Sequence, residues 1–173
     1  MIRALASKRL ISLLLLLGVL YFAPSCWALP DDKNQPIVFS ADAVNVEYGK
    51  KITTLIGNAI VTQGSTTIKG EKIVIYHHED DKLEKIIVYG SAKRRAVYSA
   101  RLTKKDSLFT ASADIIKYFQ DEKLAVFLGN AHATDGVNSF DGPNISYWTE
   151  QQKLKSEASK TQRTTIRITP DTL

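Results

Sequence analysis

The sequence has almost no cysteine, which excludes a fold held together by disulfide bonds. The one cysteine among 173 residues is Cys26, and it lies in an N-terminal stretch with the form of a secretory signal. That stretch has basic residues at its start, an apolar run over 10–23 and a small-residue end. We expect cleavage after Ala28, which leaves a mature chain without cysteine. Its stability must then come from packing and backbone pairing, although the compartment permits disulfides.

Long apolar runs are also lacking. The run over 10–23 is shorter than the ~20 residues that a membrane-spanning helix needs. We therefore predict that residues 1–28 form a cleaved signal, and an uncleaved membrane anchor is the alternative. The remaining residues, 29–173, suffice for a single domain with its own core.

The excess of positive charge is small once the signal is set aside. The formal charge of the whole chain is +5, but Arg3, Lys8 and Arg9 contribute three of those charges and residues 1–28 hold no acidic residue. The rest of the chain has 20 basic against 18 acidic residues. Such a balance does not favour nucleic acid as a partner, and we expect none.

Catalytic motifs are missing as well. The sequence has no nucleophile elbow, no Gly-rich phosphate loop and no HExxH. Asp42 and Asp114 begin equivalent strands, so we interpret them as turn or cap residues and not as paired catalytic carboxylates. The only cluster of metal-ligand types is His77-His78-Glu79-Asp80-Asp81. Adjacent side chains on a strand point to opposite faces, so the two histidines do not easily converge on one ion, and we interpret the acidic residues as a solvated hairpin tip. We expect no enzyme activity and no metal site.

Two short basic stretches leave their role open. Lys93-Arg94-Arg95 and Lys104-Lys105 could contact the phosphate groups of an anionic ligand. The alternative is a charged strand edge or loop that resists aggregation.

Apolar and polar residues alternate through most of the mature chain, for example over 44–48 and 124–128. Period two with β-branched and aromatic enrichment is typical of strands. Turn signals such as Gln63-Gly64-Ser65, Asp135-Gly136 and Asp141-Gly142-Pro143 separate these runs. We predict an all-β fold of short antiparallel strands.

One phrase occurs twice. LIGNAIVTQG at 55–64 and FLGNAHATDG at 127–136 are offset by 72 residues, and apolar positions match at this offset across some forty residues. We predict two related units, about 37–108 and 109–173, in one continuous sheet folded on itself. The first and last strands of such a sheet have unpaired backbone groups.

Several phrases resemble a known family. They are Gln35-Pro36-Ile37-Val38-Phe39, Gly57-Asn58-Ala59-Ile60-Val61-Thr62-Gln63-Gly64, Tyr89-Gly90, Gly129-Asn130-Ala131 and Arg163-Thr164-Thr165-Ile166. With these phrases, residues 34–170 resemble the lipopolysaccharide transport protein A family (LptA, or OstA type). The resemblance implies an open twisted β-jellyroll, folded like a taco, in a periplasmic protein without catalytic residues or cofactor. It also implies head-to-tail self-association into a bridge between the inner and outer membranes, with lipopolysaccharide as cargo. The implied partners are LptC at the inner membrane and the N-terminal domain of LptD at the outer membrane.

The apolar face of the folded sheet is the candidate site for the lipid A acyl chains. The resemblance maps Ile37, Phe39, Tyr118 and Val97 onto family positions that contact these chains, and strand alternation adds four more. The predicted groove residues are Ile37, Phe39, Val44, Val46, Val97, Ile116, Tyr118 and Val126. The predicted oligomer edge consists of Val38, Ser40, Thr164, Ile166 and Ile168.

Two other functions stay open at this point. A related protein with an uncleaved N-terminus would be an inner-membrane-anchored docking subunit in the LptC position. A structural envelope protein of β-repeats would have the same strand pattern and bind no lipid.

Overall fold

The computed structural model describes residues 34–102 and 107–170, which form one sheet of twelve antiparallel strands. The predicted signal over 1–28 and the Lys104-Lys105 pair lie outside the described residues. In the described part no helix is long and apolar enough to cross a membrane. The prediction of an all-β fold is confirmed.

The strands alternate with short turns, one of which is a 3-10 turn at Tyr48–Lys50. Their bounds are β1 (Val38–Ser40), β2 (Ala43–Glu47), β3 (Ile52–Gln63), β4 (Thr66–His77), β5 (Leu83–Tyr89), β6 (Ala96–Leu102), β7 (Ser107–Ala113), β8 (Ile115–Phe119), β9 (Leu124–Thr134), β10 (Ser139–Trp148), β11 (Lys153–Glu157) and β12 (Thr165–Arg167).

The sheet is folded into two layers because its four longest strands run through both of them. These strands, β3, β4, β9 and β10, are 10 to 12 residues long. At one end they pair with β2, β5, β8 and β11, which complete the first layer. At the other end they pair with β1, β6, β7 and β12, which complete the second layer. The strands are therefore longer than the sequence pattern suggested, and each long strand is bent near its middle.

The repeated phrase lies at the bend. In β3 the register shifts between Ile56 and Ala59, where Gly57 and Asn58 both have positive φ. Across from this bulge the Asp42 amide donates to the Gly57 carbonyl at 2.9 Å, and Asn58 Nδ2 donates to Asp42 Oδ2 at 2.9 Å. We call these residues the first corner. The extra residues of the bulge bend the strand, and the two hydrogen bonds with Asp42, which we call the clamp, hold the bend in place.

The second corner repeats the first one 72 residues later. Gly129 and Asn130 have φ of 77° and 47°, against 75° and 45° at Gly57 and Asn58. The Asp114 amide donates to the Gly129 carbonyl at 3.0 Å, and Asn130 Nδ2 donates to Asp114 Oδ2 at 2.9 Å. The interpretation of the two aspartates as turn residues is confirmed.

One predicted turn is wrong. Asp141-Gly142-Pro143 does not end a strand but lies inside β10. Gly142 and Pro143 are buried, and the register with β9 shifts between Gly142 and Asn144. A bulge tolerates proline because the ladder is interrupted there, and glycine fits because an added Cβ would lie 2.6 Å from Ser156 Oγ. Glycine and proline here mark a bend.

The strand pairing follows the same repeat. Strands β7 to β10 occupy the places of β1 to β4 at the 72-residue offset: Phe39 pairs with Val61 as Ala111 pairs with Ala133. After β10 the offset is 68 residues. Ile73 and Ile145 are equivalent, and their cross-strand partners, Val88 and Ser156, are 68 residues apart. This equivalence supports two units of six strands divided between β6 and β7. We propose that division in place of one near residue 108.

Candidate apolar groove and sheet edges

The inward face of the second layer is an apolar row that runs from one edge of the sheet to the other. Successive cross-strand partners place one residue of each strand on this row. Its members, in spatial order, are Phe39, Val61, Ile68, Tyr98, Ala111, Ala133, Phe140 and Ile166. Directly opposed residues of antiparallel strands point to the same face, so the row is continuous.

The first layer has a matching inward row. In spatial order it contains Val44, Leu55, Ile73, Val88, Ile116, Phe127, Ile145 and Ser156. The six residues between the two ends are fully buried, whereas Val44 is 57% exposed. This row is therefore closed in the middle of the sheet, exposed at Val44 and half-buried at Ser156.

Both ends of the second-layer row are also exposed. Phe39 is 39% exposed and Ile166 is 54% exposed, while the row between them is buried or half-buried. An apolar face that ends in solvent at both edges of one sheet leaves hydrocarbon surface uncovered. These ends are candidate contact surfaces.

Four aromatic rings fill the space between the layers. Tyr98 and Phe109 come from the second layer, and Phe127 and Tyr147 come from the first. The Phe109 and Tyr147 rings are stacked with their centres 4.0 Å apart. The Tyr98 and Phe127 rings meet edge to face with their centres 5.9 Å apart. Burial raises the pKa of Tyr147 to about 12, so this phenol stays neutral. Sequence reasoning did not include any of these four residues in the groove.

A hollow of about 420 Å³ opens between the layers on the side away from the corners. Tyr98, Tyr118 and Tyr147 line its interior part. Its rim is polar and includes Arg101 and Lys123. The hollow gives the apolar interior an exit along the open side of the fold.

The predicted groove residues divide into those that face inward and those that do not. Ile116 is buried, and Ile37 and Tyr118 are half-buried and packed against the core. Phe39, Val44 and Val46 face inward at the N-terminal end of the sheet but are exposed. Lipid contact at these six positions stays a prediction.

The prediction that Val97 and Val126 face inward is wrong. Ala96 and Tyr98, on either side of Val97, are buried, so Val97 points to the outer face. Val126 likewise lies between two buried residues, Ala125 and Phe127, and it pairs with Lys117 on the outer face. In both strands, consecutive apolar residues left the alternation ambiguous, and the sequence reading chose the wrong face.

Two pairs of strands form the edges of the sheet. In the described residues β1 and β2 pair only with β3, and β11 and β12 pair only with β10. We call β1 with β2 the N-terminal edge and β11 with β12 the C-terminal edge. Val38 and Ser40 lie in β1 and Ile166 lies in β12, whereas Thr164 and Ile168 flank β12. The Thr164 hydroxyl lies 3.1 Å from Ser156 Oγ and so joins the two strands of this edge.

A family model described as LptA/(LptD N-terminal domain) LPS transport protein matches residues 39–153. The chain belongs to this family. Among its relatives, lipopolysaccharide export system protein LptH of Pseudomonas aeruginosa is 30% identical over 125 residues, which cover 72% of this chain and 70% of that protein. Lipopolysaccharide export system protein LptA of Escherichia coli K12 is 25% identical over 167 residues, which cover 96% of this chain and 89% of that protein.

The fold of this LPS transport family chain is also found in a solved structure. The crystal structure of LptH, the LptA homologous periplasmic component of the lipopolysaccharide transport device of Pseudomonas aeruginosa, superposes with a TM-score of 0.74. The superposition covers 82% of this chain and all of the LptH chain, at 24% sequence identity. The β-jellyroll expected from the sequence is confirmed.

The basic stretch of this family member contacts both corners. Arg94 Nη2 donates to Asn58 Oδ1 at 3.0 Å, and it lies 3.6 Å from Glu71 Oε2. Arg95 Nη1 donates to the Asn130 carbonyl at 2.7 Å. Arg94 is therefore bound to the first corner and Arg95 to the second, and neither residue lines the open hollow. These contacts favour a structural role over phosphate binding.

The histidines have separate partners. His77 Nε2 lies 3.4 Å from Thr53 Oγ1, and His78 Nε2 lies 3.0 Å from Asp121 Oδ2. His132 Nδ1 lies 2.7 Å from Asp141 Oδ1 on the outer face of the second layer. Among the described residues, no three His, Cys, Asp or Glu side chains are grouped as a metal site would require.

Proposed function

We propose that the protein is a periplasmic lipopolysaccharide carrier that shields the acyl chains against its apolar interior. The observation that carries the proposal is the second-layer row, which is apolar from Phe39 at one edge to Ile166 at the other. Membership of the LPS transport family supports the choice of lipopolysaccharide as cargo. Export through a cleaved signal over 1–28 belongs to the same proposal.

The acyl chains enter from the open side, at the hollow lined by Tyr98, Tyr118 and Tyr147. Each methylene removed from water contributes roughly 0.8 kcal/mol. Because the interior residues are almost all aliphatic or aromatic, no single position holds the lipid by a fixed polar anchor. A face of this kind binds hydrocarbon along its length and lets it move.

Transport across the periplasm uses the two edges. The N-terminal and C-terminal edges differ in sequence, so a contact between them is heterologous and can be repeated without closing. Strand addition supplies the affinity through backbone hydrogen bonds. We propose that copies of the chain join head to tail between LptC at the inner membrane and the N-terminal domain of LptD at the outer membrane.

The protein acts as a carrier and not as an enzyme in this proposal. The energy for directional movement comes from another component of the transport system. Neither a cofactor nor a metal ion is required, because hydrocarbon transfer along an apolar face makes and breaks no covalent bond.

Depletion of the protein from the cell that makes it tests the transport role. We expect newly made lipopolysaccharide to accumulate at the inner membrane, measured by membrane fractionation after pulse labelling. Native mass spectrometry of the purified protein tests the cargo, and lipopolysaccharide should be found bound. A depleted cell with normal outer-membrane lipopolysaccharide would contradict the proposal, and purified protein that never carries lipid would favour a structural envelope role.

A further inference from the structure

The outer face of the first layer has an apolar row beside the two corners. Cross-strand pairing on β3, β4, β5, β8 and β9 sets the members of this row, which are Ile56, Lys72, Tyr89, Ile115 and Leu128. Ile56 is 49% exposed and Tyr89 is 37% exposed. The next row on the same face adds Val74, Ile87 and Val126. Apolar side chains that are grouped on an outer face and exposed to solvent mark a contact surface.

The outer face of the second layer is different. Its cross-strand pairs form a row of hydroxyl side chains, which are Thr62, Thr67, Ser99, Thr110, Thr134 and Ser139. In the row beside it the large aliphatic residues are Ile60 and Val97. Hydroxyl groups donate to water and accept from it, so this face is suited to solvent. The apolar outer surface is therefore concentrated on the first layer.

Three lysines accompany the apolar residues of the first layer. Lys72 lies within the row beside the corners, Lys117 lies in the next row, and Lys93 lies in the turn after β5. Within the described part of the chain, none of the three forms an ion pair with a carboxylate. Glu71, which precedes Lys72, lies 3.6 Å from Arg94 Nη2 instead. The charge of the three ammonium groups is therefore available to an anion outside the molecule.

Acidic residues lie at the other end of the first-layer strands. The turn after β4 carries three of them at 79–81, and the turn after β8 carries two at 121–122. Along β4 the distance from Lys72 to the turn at 79–81 is about 20 Å. The first layer is thus basic beside the corners and acidic at the open side. An anionic surface is attracted to the corner half of the face and repelled by the turns.

We infer that the corner half of this face docks on the surface of an anionic phospholipid bilayer. We call it the basic face, and it consists of Ile56, Lys72, Tyr89, Lys93, Ile115 and Lys117. Ile56 and Tyr89 reach the boundary between headgroups and acyl chains, while the lysine ammonium groups reach the lipid phosphates. Each lysine near an anionic membrane adds to the attraction, and salt screens that attraction.

The arrangement of the side chains favours a bilayer over an acidic protein. Lys72 has an exposed apolar neighbour on each side, Ile56 and Tyr89, so cationic and apolar groups alternate at spacings of about 5 Å. The headgroup region of a bilayer offers anions and hydrocarbon at every point of its surface. A protein partner would need both kinds of group in one fixed, matching arrangement.

This contact goes beyond the carrier function, because it uses neither the apolar interior nor the edges of the sheet. The proposed bridge grows along the rows of the sheet and crosses the periplasm. A copy whose outer face lies on a membrane is therefore one that has not joined the bridge.

Sedimentation with vesicles tests the contact. The exported protein, without residues 1–28, is mixed with vesicles of phosphatidylcholine alone or of phosphatidylcholine with phosphatidylglycerol. We expect strong binding with the anionic vesicles alone, and weaker binding when salt is raised from about 0.05 M to about 0.5 M. Lys72→Glu and Lys117→Glu should each weaken the binding at least about fivefold, because an attraction to the surface becomes a repulsion.

Lys160→Glu is the matched control for these charge changes. Lys160 is exposed and lies in the turn after β11, which is three strands from β8. Because the attraction falls off within a Debye length, the affinity should change by less than about twofold. The three variants should keep the far-UV circular dichroism and thermal midpoint of the wild type, which separates loss of binding from loss of fold.

A single tryptophan reports which face contacts the lipid. Trp148 is the one tryptophan of residues 29–173, so Trp148→Phe gives a background without tryptophan. In that background Tyr89→Trp labels the basic face, and Val97→Trp labels the outer face of the second layer. Brominated acyl chains in the anionic vesicles should quench the fluorescence at position 89 several-fold more strongly than at position 97.

Four outcomes would overturn the inference. They are equal binding to neutral and anionic vesicles, unchanged binding of both lysine variants, stronger quenching at position 97 than at position 89, and a complete absence of binding. The last outcome would leave an acidic protein surface as the partner that the basic face fits. Lipopolysaccharide bound to the same samples in native mass spectra tests the carrier function separately, so its failure and the failure of this inference are distinguishable.

Discussion

Phe39 and Ile166 lie at opposite edges of the sheet and belong to the same inward-facing row. Phe39 pairs with Val61, and Ile166 pairs with Phe140. The row between them is apolar throughout, and both terminal side chains are exposed to solvent. A sheet that presents hydrocarbon surface at both edges can be continued at both edges. The predictions below test the bend, the interior and the edges of this sheet.

The corner glycines should be intolerant of a side chain. Gly57 has φ of +75°, and a Cβ added there would lie 2.4 Å from Asp42 Oδ2. We expect Gly57→Ala to lower the free energy of unfolding by about 1–3 kcal/mol, because it combines strain at positive φ with a clash against the clamp. Gly129→Ala should behave alike, since its Cβ would lie 2.5 Å from Asp114 Oδ2. Urea unfolding followed by circular dichroism measures both.

Gly49 is a matched control for the corner glycines. It lies in the 3-10 turn, and a Cβ added there would meet nothing within 4 Å. Gly49→Ala should change the stability by less than about 0.5 kcal/mol. Equal effects of alanine at positions 49 and 57 would contradict the role assigned to the corners.

The aromatic cluster should dominate the stability of the interior. Phe127 is fully buried and contacts the Tyr98 and Phe109 rings. Phe127→Ala should cost about 3–5 kcal/mol, because it removes a large ring from a packed interior and leaves a cavity. Phe119→Ala, at a half-buried position of the outer face, should cost clearly less. Comparable losses in thermal unfolding would argue against the interior assignment.

The attachment of the last strand should weaken in acid. Asp141 Oδ1 lies 2.7 Å from His132 Nδ1, and Arg167 Nη1 donates to Asp141 Oδ2 at 2.6 Å. The hydrogen bond with His132 is the main cause that lowers the pKa of Asp141, and Arg167 adds to it. Since the folded-state pKa lies below the unfolded one, the stabilisation is present above the unfolded-state pKa and is lost as pH falls through the folded-state value.

The comparison of the wild type with Asp141→Asn measures this effect. The difference between their thermal midpoints should be constant at neutral pH and shrink as the pH falls below about 4. Arg167 lies in β12, so the loss should be accompanied by faster proteolysis at the C-terminal end with an acid-active protease. A difference that stays the same down to the lowest pH would show that the charge of Asp141 does not hold β12.

The C-terminal edge should be separable from the rest of the fold. Proline at position 166 removes a backbone donor from β12, which has only three residues. We expect Ile166→Pro to weaken self-association in light scattering, while far-UV circular dichroism retains the sheet because β11 still pairs with β10 over five residues. Lys160→Pro is the control, since it lies in the Ser159 to Gln162 turn outside the strands. Unchanged oligomerisation of Ile166→Pro would exclude β12 from the joint.

The fold class was predictable because period-two alternation and the 72-residue repeat are local properties of the sequence. The two corners were visible as the repeated Gly-Asn phrase, but their function as bends was not. A bend between layers depends on the contact of Asn58 with Asp42, sixteen residues away. Gly142 and Pro143 were taken for a turn because glycine and proline occur in turns as well as in bulges, and only the pairing of β10 with β9 shows the bulge.

The site was only partly predictable. Val97 and Val126 were placed on the wrong face because consecutive apolar residues satisfy either alternation, and only pairing with Lys117 and Ser112 shows the outer face. Phe109 and Phe127 were missed although they alternate with buried alanines, which is the signal that could have found them. Arg94 and Arg95 were candidates for phosphate until their contacts with the corners were known.

Site-specific photolabelling in cells tests the central claim most directly. A photoreactive residue is placed at Phe39 or Tyr118 on the inward face and, as controls, at Val97 or Val126 on the outer face. After irradiation, lipopolysaccharide adducts should form at positions 39 and 118 and be weak or absent at 97 and 126. Adducts confined to the outer positions, with none at 39 or 118, would contradict transport along the apolar interior.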